Sequence, residues 1–508
     1  MSIESENNNR IAKNTLVLYV RMLLLMAVSL YTSRVILDAL GVDDFGIYNV
    51  VGGLVGMLGF FTSSLTNVSQ RYLNIGIGSK DKIQTILYFK QCSTILFVFS
   101  LITLLLGETI GLWFVINKLV IPTERLFAAF WVYQFSLVSV ICSINQVNFL
   151  GAIVAHEKMD VYAFLGLFEG IARLIIAFII LNSSCDHLIL YAGLTALISI
   201  LILIFHIVYC RIKFEICSLQ LCWDKKLVKE MTKFISVNLF GCFAWSAGVQ
   251  GSNIVMNLFF GPVVNAAKAI SMQVSTVVLK FTDSIMTAVK PQIIKSYASG
   301  DVSYMLSLMM KTSKLSFFIS IIIAGPILIK TDYILTLWLK NVPEYAAIFS
   351  KIVIIESLAS ILINPLWIVA NATGNIKRNQ VYGRLFTLAS LPLSYFLLKL
   401  FPNPILAVAT CALMQYLYWL YCVYDIKKQI NLDVFVYLKQ VIIPSVIILV
   451  SLMLLGCIIQ NIGKTESLIN FIITSTILIF VGILISYMLM TNGERMFIKN
   501  FVNKILPK

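Results

Sequence analysis

The sequence predicts an all-α polytopic membrane protein with about 14 transmembrane helices, and three features carry that prediction. Of 508 residues, 59% are hydrophobic and only 12% charged, roughly half the charge of a soluble domain. The apolar residues fall in long runs, with a mean hydropathy of +0.90. One span needs about 20 such residues, because hydrocarbon cannot satisfy backbone N–H and C=O groups and the helix must do so itself. Finally, the basic residues gather in alternate loops, the pattern that orients helices in a bilayer.

The spans predicted in order are 14–37, 46–67, 91–116, 126–154, 160–181, 187–210, 233–259, 263–289, 314–338, 346–371, 380–400, 404–424, 439–460 and 468–490. The loop after the second holds Arg71, Lys80, Lys82 and Lys90, and that after the sixth holds Arg211, Lys213, Lys225, Lys226, Lys229 and Lys233. Lys290, Lys295, Lys311 and Lys314 follow the eighth, Lys377, Arg378 and Arg384 the tenth, and Lys427, Lys428 and Lys439 the twelfth. The opposite loops are nearly bare, with Lys118, Arg125, Lys340, Lys399 and Lys464 beside Asp38, Asp43, Asp44, Asp186, Glu344 and Glu466. The basic loops are therefore expected in the cytoplasm, with both termini inside. Residues 1–13 are polar and the first apolar run is too long for an h-region, so this end reads as an uncleaved signal anchor.

An internal repeat organises the chain. Shifted by 220 residues, 33–81 lies on 253–301 without a gap: Gly41 meets Gly261, Thr62 meets Thr282, Ser64 meets Ser284 and Asp81 meets Asp301. Six spans, an even number, separate the copies, so both face the same way. The predicted domains are a six-helix bundle at 1–215, a second at 216–430 related by a pseudo-two-fold axis, and two further helices with a cytoplasmic tail at 431–508. Transporters built from such repeats hold substrate near the midplane, between the halves.

Polar groups in a bilayer are costly and usually face a cavity or a partner helix. In the seventh span Ser246, Gln250, Asn253 and Asn257 share one face. In the second, Asn49, Gly53, Gly56, Ser63 and Asn67 form a similar stripe. Cavity lining is the reading favoured for the seventh, whereas close helix packing competes with it equally for the second. Cations also occur within spans: Arg21 and Arg34 on the first, Lys268 and Lys280 on the eighth. Converging from the two halves, they suit an anionic group such as a phosphate or pyrophosphate. Local neutralisation is the alternative for Lys280 with Asp283 and for Arg173 with Glu169, and snorkelling for Arg34 and Lys268. Asp283, Glu108 and Glu356 are the intramembrane carboxylates available for ion coupling, against a reading as paired or interfacial groups.

Other chemistries find no support. The ten cysteines lie mostly in apolar segments, as small hydrophobes, and Cys217 and Cys222 have no second pair to complete a zinc site. No metal or cofactor is expected. Walker A, GxSxG and HExxH motifs are absent, and His156, His187 and His206 are scattered. The expectation is a transporter and not an enzyme. A net charge of +15 suggests nucleic acid, but its placement in alternate loops answers to the membrane instead.

The opening IAKNTLVLYVRMLLLMAVSLYTSRVILDALGVDDFGIYNVVGGLVG, with its LGxxx(Y/F)GxY turn at 40–48, resembles the first helices of polysaccharide exporters and Wzx-like O-antigen flippases. These belong to the multidrug/oligosaccharidyl-lipid/polysaccharide (MOP) superfamily. The GPVVNAAKAIS segment with Gly261 and Lys268, and the ANATG segment at 370–374, are similar too. The resemblance spans the chain. It implies an inner-membrane flippase that moves undecaprenyl-pyrophosphate-linked oligosaccharide by alternating access, for O-antigen, capsule or lipopolysaccharide biosynthesis. It further implies a cationic cavity in which Arg21 and Arg34 meet the pyrophosphate, and a polymerase and glycosyltransferases as partners beside membrane lipids. A cation-coupled multidrug exporter of the superfamily and a non-transporting scaffold of a polysaccharide synthase are the alternatives.

Overall fold

A computed structural model describes residues 3–495 apart from 79–80, 157, 218–219, 221, 375–377, 463–466 and 492. Side chains of residues 1–22 and of some helical positions, Asn67 among them, lie outside the described set. The described regular structure is helical throughout. In chain order it comprises α1 (Ile3–Met57), α2 (Phe60–Gly78), α3 (Lys82–Leu106), α4 (Leu126–Ala155), α5 (Met159–Leu181), α6 (His187–Lys213) and α7 (Lys225–Phe260). It continues with α8 (Pro262–Ala298), α9 (Val302–Ile329), α10 (Ala346–Ala372), α11 (Arg384–Leu400), α12 (Pro404–Ile430), α13 (Ile443–Ile462) and α14 (Leu468–Leu489). Short helical turns flank several of these.

Among the described residues, 12 helical runs are long and apolar enough to cross a membrane, against about 14 expected. The difference has two sources. The run Leu23–Asn74 holds the first two predicted spans together, and α7, the seventh, is not among the twelve because its amides dilute its apolar character. Where a loop at 38–45 was expected, the helix is interrupted only at Gly41, whose φ of 76° lies in the left-handed region. Gly261 (φ 74°) separates α7 from α8 in the same way. The third span starts earlier than predicted, at Lys82, because Asp81 caps it by accepting a hydrogen bond from the Gln84 N–H at 3.0 Å. Asp301, its repeat mate, caps α9 through the Tyr304 N–H at 2.9 Å.

The chain divides into two compact units. One is built from Arg21–Ala269 and Thr387–Ala407, the other from Ile270–Phe386, from Val408 onward and from the chain's start up to Val20. In the first unit, Phe61, Leu65, Val68 and Tyr72 of α2 pack with Cys92 and Ile95 of α3 and Met231 and Ile235 of α7. The segment leading into α7 is stitched to α3: Gln91, fully buried, accepts from the Asp224 N–H at 2.9 Å, and Thr94 exchanges hydrogen bonds with the Cys222 backbone. In the second unit α9 is the central helix, with 78% of its apolar window buried. Small residues let α13 and α14 approach it closely: a Cβ on Gly456 would meet Ile329, and one on Gly482 would meet Ile322. Lys314, predicted at a loop–span boundary, is instead buried within α9. Its ammonium pairs at 2.9 Å with Glu494 beyond α14, a compensation that lies far off in sequence.

Candidate functional site

The amide stripe of α7 meets the glycines of α1. A Cβ on Gly53 would lie 3.0 Å from the Gln250 Oε1, and one on Gly56 3.7 Å from its Nε2. Asn253 donates to the Gln250 Oε1 at 3.1 Å, and Ser246 donates to the Met57 carbonyl at 3.2 Å. Asn257, fully buried, brackets the Val120 peptide, accepting from its N–H at 2.8 Å and donating to its carbonyl at 3.2 Å. Asn265 of α8 donates to the Asn253 carbonyl at 2.7 Å. Gly248 and Gly251 admit Thr387 and Leu391 of α11 to α7. Gln250 and Asn253 stay half-buried, and the Asn253 Oδ1 is buried without a hydrogen-bond partner. Asn49 is half-buried and donates to the Phe45 carbonyl of its own helix at 2.7 Å. The predicted Asn67 side chain lies outside the described residues, as does that of Arg21.

Of the described cations, Arg34 is half-buried, and Lys268 is only 4% exposed and donates to the Ser252 Oγ of α7 at 3.3 Å. Both belong to the first unit, with the amide stripe. Lys280 and Asp283 lie on the part of α8 within the second unit, and their charges act on one another. Glu356, half-buried on α10, belongs to that unit too. Glu108 is exposed in a π-helical turn, Gly107–Gly111, and accepts from Gln134 at 3.3 Å. Arg173 pairs with Glu169 at 2.8 Å, one turn back on α5. The structure therefore sets Lys268 against Ser252, and Asn265 against Asn253 of the amide stripe, where α7 meets α8, and sets Lys280 beside Asp283.

Among the described residues, several ion pairs escaped the sequence reading because their partners are distant in the chain, and three centres among them include a buried or half-buried group. Arg125, before α4, holds Asp44 through Nε at 2.8 Å and Nη2 at 2.5 Å, and Asp186 through Nη1 at 2.5 Å and Nη2 at 3.2 Å. This fork ties the starts of three helical segments at the end with few basic loops. Burial alone would raise the Asp186 carboxyl, but hydrogen bonds from Arg125 and from the Ile189 and Leu188 N–H groups hold it below its usual value. Lys314–Glu494 is the second centre. The third is Arg378–Asp425 at 3.0 Å, in which Asp425 is fully buried and accepts from Gln429 at 2.8 Å. The lone arginine among bare loops that carry Asp44 and Asp186 was a usable signal for the first.

No family model matches the sequence, and neither does any curated protein. Solved structures do share its fold. The lipid II flippase MurJ in an inward closed conformation is similar with a TM-score of 0.68 at 14% identity, over 94% of this chain and 99% of that one. An inward-facing multidrug resistance MATE family transporter of the MOP superfamily is similar with a TM-score of 0.67 at 12% identity, over 82% of this chain and 99% of that one. This is a multi-pass membrane protein with the all-α fold of MOP-superfamily transporters.

Proposed function

We propose that the protein is a flippase of the bacterial inner membrane that carries an undecaprenyl-pyrophosphate-linked oligosaccharide from the cytoplasmic to the periplasmic face, for surface polysaccharide assembly. The observation that carries this reading is the retention of cations on membrane-spanning helices, with Lys268 buried and Lys280 half-buried on α8. Cations at such depth are costly and mark substrate paths. An anionic pyrophosphate headgroup is the cargo that uses them. Fold coverage supports the same class: the lipid II flippase matches all but 6% of this chain, a remainder smaller than α13 and α14 occupy. In this reading the bundles 1–215 and 216–430 alternate access around Arg21, Arg34, Lys268 and Lys280, both termini stay in the cytoplasm, and a polymerase and glycosyltransferases work on the same lipid-linked units.

The test uses a host lacking its own flippase. Expression should restore surface polysaccharide, and Arg21→Ala and Lys280→Ala should each abolish it with protein still in the membrane. Polymer retained in both variants removes the cationic reading. The fold shared with a multidrug transporter favours drug export as the second reading, and drug susceptibility that tracks expression, without any polymer, would establish it.

A further inference from the structure

We propose that Arg384, Trp367 and Lys290 form a separate phosphoryl-anion site in the second unit, at the end that carries the basic loops. The proposal begins with two buried donors that have no acceptor. The Nε of Arg384 and the Nε1 of Trp367 are both buried and make no hydrogen bond. Buried polar groups are overwhelmingly satisfied, so an orphan needs a reason. Each of these is a donor only, and neither can serve the other.

The backbone is built to present Arg384. A π-helical turn, Asn379–Gly383, immediately precedes it, a distortion that often marks functional positions. Gly383 lets that turn close on Tyr418, where a Cβ would come within 2.5 Å of the ring. Tyr418, 1% exposed, donates to the Asn379 Oδ1 at 2.6 Å. The fixed ring is a platform for the Arg384 guanidinium, 5.4 Å from its centroid. Stacking of this kind leaves the edge of the guanidinium fork open to a planar or tetrahedral oxyanion.

Trp367 reaches the same level from α10. Helices α10 and α12 run in parallel and hold a register of 55 residues at Ser360–Gln415 and 56 at Thr373–Gln429. That register sets Trp367 level with Cys422, about one helical turn from Tyr418. Lys290 of α8 adds a third donor, its ammonium 5.8 Å from the Trp367 ring centroid. The neighbouring carboxylate does not quench the set. The Asp425 Oδ1 is ion-paired with Arg378 at 3.0 Å, though it makes no hydrogen bond, and its Oδ2 accepts from Gln429, which Thr373 holds in turn at 2.6 Å. An arginine fork, an ammonium and an indole N–H together ask for a ligand rich in acceptors and negative charge, which a phosphate or diphosphate provides.

The positive-inside pattern assigns this end to the cytoplasm. There the site would meet either the diphosphate of a lipid-linked substrate or a free inorganic anion. The first source rests on the flippase reading, and the second does not.

The experiment titrates the full-length protein in nanodiscs with inorganic pyrophosphate and, separately, with undecaprenyl diphosphate carried in the disc, undecaprenol serving as the phosphate-free blank. Arg384→Gln should weaken binding by about tenfold or more, and Trp367→Phe, which keeps an aromatic side chain but removes the indole N–H, by about threefold to tenfold. Arg384→Lys keeps the charge without the fork and should fall between wild type and Arg384→Gln. Lys351→Gln, at a remote pair with Asp332, should change nothing. Loss confined to the lipid probe identifies the headgroup as ligand, and loss for pyrophosphate identifies the free anion. Unchanged affinity in Arg384→Gln and Trp367→Phe, with melting curves like wild type, overturns the site, as does a wild type that binds neither probe. Translocation of lipid-linked saccharide in proteoliposomes is read separately, so the site can fail while the transport reading stands.

Discussion

Gly41 and Gly261, 220 positions apart, adopt the same left-handed backbone, with φ, ψ of 76°, 173° and 74°, −169°. Each is the sole residue between two long helices, and neither would set a Cβ against a close neighbour. Any cost of replacing them is therefore conformational. Their ψ values near 180° place them in a positive-φ extended region that is essentially reserved for glycine, so Gly41→Ala and Gly261→Ala should each destabilise by about 1–3 kcal/mol, and by similar amounts because the local geometry repeats. Thermal unfolding of the detergent-solubilised protein checks this. An effect at one position and none at the other would break the equivalence.

Glycines along the same helix should behave differently, according to what faces them. At Gly46 a Cβ would lie 2.0 Å from the Pro262 carbonyl oxygen, which is backbone and cannot swing away. At Gly53 the obstacle is the end of the Gln250 side chain, at 3.0 Å. Gly46→Ala is expected to cost about 1–3 kcal/mol by overpacking, and Gly53→Ala much less, because an amide can change rotamer. The ratio of folded protein in fluorescence-detected size exclusion measures the order. Equal losses would mean that Gln250 is as rigid as backbone.

These glycines also mark how far the sequence could be read. The 220-residue repeat named Gly41, Gly261, Asp81 and Asp301, and the last two cap α3 and α9 as equivalent positions should. Helix type followed from the apolar runs, since lipid leaves the backbone no alternative. Local periodicity also placed Gln250, Asn253 and Asn257 on one face, but periodicity has no knowledge of what stands opposite. That Gly53 receives Gln250, or that Asn257 brackets Val120, depends on tertiary approach. Lys314 illustrates the limit best: a lysine beside a span reads as a loop cation until the chain beyond α14 supplies Glu494. Arg384 was likewise legible only as loop charge, since its stacking on Tyr418 needs the π-turn at Asn379–Gly383.

The Arg125 fork makes a pH prediction. Asp186 is held below its ordinary value in the folded protein, so its contribution is present above the unfolded carboxylate range and is lost as pH falls through the depressed folded value. The Asp186 contribution to the melting temperature should therefore be lost on acidification below about pH 4, and Asp186→Asn should remove that part of the acid dependence while lowering stability at neutral pH. High salt should erode the effect only partly, because the fork is bidentate and one-third exposed or less. A variant that retained the full acid slope would assign the slope to other carboxylates.

The sharpest energetic test lies at Lys314 and Glu494. The side chains are 3% and 7% exposed, with Nζ 2.9 Å from Oε2 and 2.7 Å from the Leu489 carbonyl. Glu494 also accepts from the Thr491 N–H at 2.7 Å, and Arg495 donates to the Tyr487 carbonyl at 2.9 Å. The pair thus fastens the end of α14 to α9. A buried ion stripped of its partner is costly, so Lys314→Met or Glu494→Gln alone should destabilise by about 3–5 kcal/mol. Replacing both with Met removes the stranded charge and should recover most of that loss, since apolar substitution of a whole buried pair is often neutral. A double-mutant cycle on thermal stability measures the coupling. If the two single effects simply add in the double variant, the pair is not a closed electrostatic unit, and the small-residue packing at Gly482 must hold α14 to α9.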